Sequence, residues 1–174
     1  MKIRLILSIL VLTIYAYSAE VLVSSLTDLQ SAINNSDPGD EIVLANGNYT
    51  MSSSIDIDNI SGESDNWITI RAESVGGAVI SGTRSFKMER SNHVKISGFY
   101  FAQQVESKCF SINASENIRV TNCTFDMVED GSKSYWLYIS GTPCPENIRI
   151  DHNDFEEKYD EGCFIVVYGP SGDI

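Results

Sequence analysis

Three stretches of this chain are copies of one another, and that repetition constrains the fold more than any other feature. They are SNHVKISGFYF (Ser91 to Phe101), SENIRVTNCTF (Ser115 to Phe125) and PENIRIDHNDF (Pro145 to Phe155). Each has a polar lead-in, an apolar-polar-apolar triplet (Val94-Lys95-Ile96, Ile118-Arg119-Val120, Ile148-Arg149-Ile150), a polar turn and a Phe seven residues after the triplet begins. Alternation of that kind is the period of a strand, so each copy reads as strand, turn and buried aromatic. The triplets are spaced by 24 and 30 residues, and Ile68-Thr69-Ile70 and Ile42-Val43-Leu44 extend the series upstream in steps of 26. Self-similarity on this scale marks a solenoid, and strands without intervening helices make it a β solenoid.

A second ladder has a matching period. Phe86/Met88, Phe110/Ile112, Leu137/Ile139 and Ile165/Val167 are pairs two residues apart, whose first members are separated by 24, 27 and 28 residues. The expected fold is therefore all-β: a right-handed parallel β-helix of about five coils, with the hand following the rule for parallel crossovers. Equivalent residues in adjacent coils sit about 4.8 Å apart. Phe101, Phe125 and Phe155 should accordingly stack as an aromatic ladder. Upstream, SLTDLQSAINNS places Leu26, Leu29 and Ile33 on one helical face, with Thr27 and Gln30 in capping-box spacing. A short amino-terminal helix there would cover the open end of the solenoid, whose unpaired strand edge would otherwise invite association.

The first stretch, MKIRLILSILVLTIYAYSA, has Lys2 and Arg4 before an apolar run, then Ala16-Tyr17-Ser18 as a small-x-small site. It reads as a secretory signal peptide over residues 1–18, leaving 19–174 as the β-helix portion, with no membrane association after cleavage. Loss of those two cations takes the net charge from −12 to −14. Such a surface argues against nucleic acid as a partner. A polyanion would need a local basic groove or a bound cation. In a secreted chain Cys109, Cys123, Cys144 and Cys163 could pair as two disulfides or remain free core thiols, and the spacing leaves both open. The sequons at Asn34, Asn48, Asn59, Asn113 and Asn122 are possible N-glycosylation sites, although asparagine also serves turns.

Chemistry could reside in two places. The outward residues of the triplets form the column Thr69, Lys95, Arg119, Arg149. Like charges on neighbouring strands repel, so this row needs acidic neighbours, for which Glu116 and Glu146 are placed, or an anionic ligand. The second is the cluster of His152 with Asp151, Asp154, Glu156 and Lys158, where a neutral imidazole could act as a base. Substrate contacts are therefore assigned to Lys95, Arg119, Arg149, His152 and Lys158.

PGDEIVLANGNYT, NWITIRAESVGGAVISGTRSFKMERSNHVKISGFYF and IRIDHNDFEEK, in that order, resemble the amino-terminal half of polysaccharide lyase family 6, the chondroitinase B and alginate lyase family. The likeness runs from about Ser24 to Val167. It implies a β-helix acting on acidic polysaccharide, alginate or a dermatan-like glycosaminoglycan, by β-elimination. In the full-length family calcium neutralises the uronate carboxylate while a Lys takes the proton at carbon 5 and an Arg assists the leaving oxygen. The family's calcium-ligand and Lys/Arg strings follow the DHN-x-F-x-x-K segment, and none has a counterpart in residues 159–174. Only Lys158 matches a family lysine, and Glu156-Glu157 replaces the usual Glu-Gly. This chain is therefore expected to be a fragment, inactive by itself, binding no calcium, and able to self-associate through an uncapped last coil. The alternatives are a non-enzymatic polysaccharide-binding or adhesin-like β-helix and a mannuronate epimerase-like one.

Overall fold

The computed structural model describes residues 20–104, 108–127, 134–159 and 161–169; the segment read as a signal peptide lies outside them. The chain opens with β1 (Glu20–Val23) and α1 (Leu26–Asn34) and then winds through five coils of three strands each. The first coil is β2 (Glu41–Leu44), β3 (Gly47–Met51) and β4 (Ile55–Asp58); the second is β5 (Ile68–Ala72), β6 (Ala78–Gly82) and β7 (Phe86–Glu89). The third is β8 (Asn92–Ser97), β9 (Phe99–Gln103) and β10 (Lys108–Asn113); the fourth is β11 (Glu116–Thr121), β12 (Thr124–Phe125) and β13 (Ser134–Ser140). The fifth is β14 (Glu146–Asp151), β15 (Asp154–Phe155) and β16 (Gly162–Val167). Stacking of the coils gives three parallel sheets, in the orders β1-β2-β5-β8-β11-β14, β3-β6-β9-β12-β15 and β4-β7-β10-β13-β16. The architecture is a right-handed parallel β-helix.

The corners repeat as the strands do. Asn59, Arg90 and Ala114 follow the third strand of successive coils, and all three have φ between 46° and 55°. Asn122 and His152 occupy the corner after the first strand with φ of 54° and 56°, at the place where the third coil has Gly98 with φ 78°. The left-handed region is costly for most side chains and least so for glycine and asparagine. Two of the sequon asparagines, Asn59 and Asn122, are thus corner residues.

The paired residues expected to face the core are in register, and all but those of the last coil are buried. Phe86, Phe110, Leu137 and Ile165 align across the third sheet, as do Met88, Ile112, Ile139 and Val167. Phe101, Phe125 and Phe155 stack, with ring centroids 5.0 Å and then 4.9 Å apart and planes within 24° and 6°. One register differs from the expectation. Ile42 pairs with Ile70, and Leu44 with Ala72, rather than Ile42 with Ile68. A slip of two residues leaves every side chain on the same face, so alternation cannot detect it.

The helix covers the first coil, with Leu29 and Ile33 fully buried against it. Its cap is Ser25, whose Oγ accepts the Asp28 backbone N–H at 3.0 Å, and not Thr27, which lies within the first turn. Gln30, freed from a capping-box role, reaches across to β4: its Nε2 donates to the Asp56 carbonyl and its Oε1 accepts the Asp56 N–H, both at 2.7 Å. At the other end Phe164, Ile165, Val167 and Tyr168 of the last coil are exposed.

Candidate functional site

The first sheet carries its polar side chains outward in three columns. Register places Thr69, Lys95, Arg119 and Arg149 in one column, as the sequence indicates. Beside it run Arg71, Ser97, Thr121 and Asp151. On the other side, one position before the first inward residue of each triplet, stand Trp67, His93, Asn117 and Asn147. His93, Asn117 and Asn147 have φ of 51° to 52°, which turns their side chains outward at the start of the strand.

The cation column does not stand unopposed, and the residue that compensates it is Asp151. The Arg119 guanidinium grips it with two hydrogen bonds, Nε to Oδ1 at 2.9 Å and Nη2 to Oδ2 at 2.8 Å. Arg149 donates from Nε at 3.1 Å and His152 meets the same Oδ2 through Nδ1 at 3.0 Å. Hydrogen bonding from Arg119, seconded by His152 and by the charges of both arginines, holds the Asp151 carboxyl far below the usual carboxylate range; the same pair raises Arg119. Glu116 and Glu146, placed by sequence as the neutralising acids, are exposed and make no ion pair among the described residues. They lie at the strand start, beyond the reach of the arginines, whereas Asp151 stands two positions from Arg149 on the same outward face.

Lys95 differs from the two arginines. It is half-buried in mid-column and has no carboxylate partner among the described residues. A groove of about 650 Å³ lies over it, lined by Trp67, Thr69, Asn117, Arg119, Asn147 and Arg149. Along its edge the amides are linked: Asn147 Nδ2 donates to Asn117 Oδ1 at 3.0 Å, and Asn117 Nδ2 to Asn92 Oδ1 at 2.9 Å. Trp67 closes the upstream end. Its indole N–H donates to the Ser64 carbonyl at 3.2 Å, and the His93 ring packs edge-on with centroids 5.3 Å apart.

The structure therefore unites Lys95, Arg119, Arg149 and His152 on one face but separates Lys158 from them. Lys158 turns toward the third sheet, where its Nζ donates to Ser134 Oγ at 2.8 Å and sits 5.6 Å from the Trp136 ring centre. The ionisable cluster expected around His152 is thereby divided, because the Asp154-Phe155 strand intervenes and the chain turns after it. Trp67 and the asparagine edge were not singled out by sequence. The signal was available, since Trp67, Asn117 and Asn147 each immediately precede a triplet, with His93 at the same place in the copy between.

The remaining assigned positions are distributed over the helix. All four cysteines are free thiols: Cys109 and Cys123 are buried, Cys144 is half-buried and Cys163 is exposed. Among the sequon asparagines, Asn34, Asn48, Asn59 and Asn122 are exposed and Asn113 is half-buried. Among the described residues no three His, Cys, Asp or Glu side chains converge as a cation site. Asp151 is already engaged by three basic groups, Arg119, Arg149 and His152.

A family model described as Chondroitinase B matches residues 23–172. Of solved structures, the PL6 family alginate lyase AlyGC superposes with a TM-score of 0.73 at 22% identity, over 84% of this chain and 21% of that one. A mannuronic acid specific polysaccharide family 6 lyase from human gut microbiota gives a TM-score of 0.71 at 26% identity, over 84% and 36%. An alginate lyase from Paenibacillus sp. str. FPU-7 gives 0.62 at 21% identity, over 77% and 43%. The chain thus spans less than half the length of each of these proteins. No curated protein matches the sequence.

Proposed function

The chain belongs to the polysaccharide lyase family whose model is described as Chondroitinase B, and on that premise we propose that it supplies the amino-terminal coils of a secreted lyase for uronate-containing polysaccharide, alginate in the first instance. The observation that carries this reading is the family match across residues 23–172. The similarity to an alginate lyase and to a mannuronic acid specific lyase supports the choice of alginate over a dermatan-like polymer. Export rests on the basic, then apolar, stretch of residues 1–18.

The reaction proposed for the complete protein is β-elimination. A base removes the proton at carbon 5, the bond from carbon 4 to the glycosidic oxygen breaks, the oxygen leaves with a proton, and an unsaturated uronate remains. Calcium beside the carboxylate would stabilise the carbanion that forms. No step through that ion is assigned to residues of these coils. What these coils offer is binding, through Lys95 with Arg119 and Arg149 on an otherwise acidic molecule.

The test is the ultraviolet absorbance of unsaturated uronate after incubation with alginate and calcium, for the protein encoded by the complete gene and for residues 1–174 alone. Product from the first and none from the second is expected. Product from residues 1–174 alone would refute the assignment of the chemistry to other coils. Failure of both to cleave alginate or dermatan, with alginate still bound, would favour the non-enzymatic binding reading.

A further inference from the structure

We infer that the outer face of the first sheet is a holding site for a uronan strand, lying across the coils, with Lys95 as its ionic anchor and Trp67 as its end wall. The inference rests on the proposed substrate class and concerns binding, not the elimination step.

Within the column, charge singles out Lys95. Arg119 and Arg149 are adjacent cations whose charge is partly cancelled by a shared Asp151. Lys95 has Thr69 on one side, Arg119 on the other, and no carboxylate partner among the described residues. A half-buried ammonium beside a second cation is relieved by an external anion, and such a charge-assisted contact is stronger than one between neutral groups. On a molecule of net charge −12 this is a local exception, of the kind a polyanion needs to approach an acidic protein.

The spacing matches a polymer rather than a single ion. Lys95, Arg119 and Arg149 come from three successive coils, so they span two steps of about 4.8 Å, or about 10 Å. One pyranose residue of an extended polysaccharide advances by roughly one such step, not two, so successive sugar residues can face successive coils. The linked amides of Asn147, Asn117 and Asn92 are already ordered by one another. Their remaining donors and acceptors can meet ring hydroxyls without a large entropic cost.

Trp67 adds what charge cannot. Its N–H is spent on Ser64 and its orientation is fixed by His93, so what it presents to the groove is rigid apolar ring surface. The C–H face of a pyranose is a fitting partner for such a surface. The site therefore has an ionic component and a stacking component that separate experimentally.

The experiment is affinity electrophoresis of residues 1–174 in gels containing alginate, dextran sulfate or dextran, at low and high salt. The variants are Lys95→Ala, Lys95→Arg, Trp67→Ala and Arg149→Ala, each checked for the parental far-UV circular dichroism spectrum. The parent is expected to be retarded by alginate and not by dextran. Lys95→Ala should lose about tenfold in affinity, the scale of one hydrogen bond to a charged group, and most of the salt dependence. Lys95→Arg should retain both. Trp67→Ala should lose affinity while keeping the salt dependence, and Arg149→Ala should lose less than Lys95→Ala. Wild-type retardation by both alanine variants at Lys95 and Trp67, equal retardation by dextran, or retardation by dextran sulfate alone would overturn the proposal. Loss of lyase activity from the complete protein leaves this outcome unaffected, because binding and product are measured separately.

Discussion

Replacement of Phe125 by alanine removes the middle ring of the aromatic ladder. Phe125 is fully buried, stacked on Phe101 at 5.0 Å on one side and on Phe155 at 4.9 Å on the other. A buried Phe→Ala change costs about 3–5 kcal/mol through lost transfer energy and the cavity it leaves. With a urea dependence of about 2 kcal/mol per M, the midpoint of denaturation should fall by roughly 2 M, read by far-UV circular dichroism. Phe155 is only half-buried and lies on the last coil, so Phe155→Ala should shift the midpoint by about half as much, following the smaller area buried. The ladder itself is isolated by a cycle of Phe125→Leu, Phe155→Leu and the double variant, which keeps apolar volume while removing the ring contact. A coupling of about 0.5–1.5 kcal/mol is expected for the nearly parallel pair. A midpoint shift for Phe125→Ala under about 0.5 M, or a coupling indistinguishable from zero, would refute the view that the ladder is a stabilising element.

Asp151→Asn should lower the denaturation midpoint at neutral pH, because it leaves Arg119 and Arg149 facing one another without their shared counter-charge. The folded Asp151 carboxyl is held below its unfolded value of about 3.9, so its contribution is complete above that value and is lost only as pH falls toward the folded one; a gap between parent and variant that closes at mildly acidic pH would contradict this. Gly82→Ala should destabilise by roughly 1–3 kcal/mol, the usual scale of local backbone strain, because Gly82 has φ +101° and an added Cβ would lie 2.6 Å from the Met51 carbonyl oxygen; an unchanged melting curve would disprove it. A thiol reagent applied to the folded protein should modify exposed Cys163 and spare Cys109 and Cys123 until the chain unfolds. Burial pushes the Cys123 thiol up to about 12 and raises Cys109 as well, and mass mapping of the labelled sites decides the matter.

The string from Asp151 to Phe155 shows how the sequence and the structure divide the work. In the sequence it carries the family resemblance. In the structure each of its landmarks has a local physical task. Asp151 compensates two arginines, and His152 turns the corner in the left-handed region. Asn153 accepts the Cys123 N–H and donates to the Val120 carbonyl of the coil beneath, both at 2.9 Å. Phe155 extends the ladder. A motif can thus identify a family through the demands of a corner rather than through chemistry.

By itself the sequence determined which side chains face inward. Strand alternation has a period of two, and the repeat supplies the order of the coils, so the ladders at Phe86, Phe101 and Val94 followed without coordinates. It could not determine the alignment of Ile42, since a two-residue slip preserves every face, and only the stacked coils show Ile42 beside Ile70 and not Ile68. Nor could it choose Asp151 over Glu116 and Glu146 as the counter-charge, or detach Lys158 from His152. Those outcomes depend on how far each side chain reaches between neighbouring coils. That distance exists only once the coils are stacked, and it is what leaves Lys95, beside Trp67, without a carboxylate partner among the described residues.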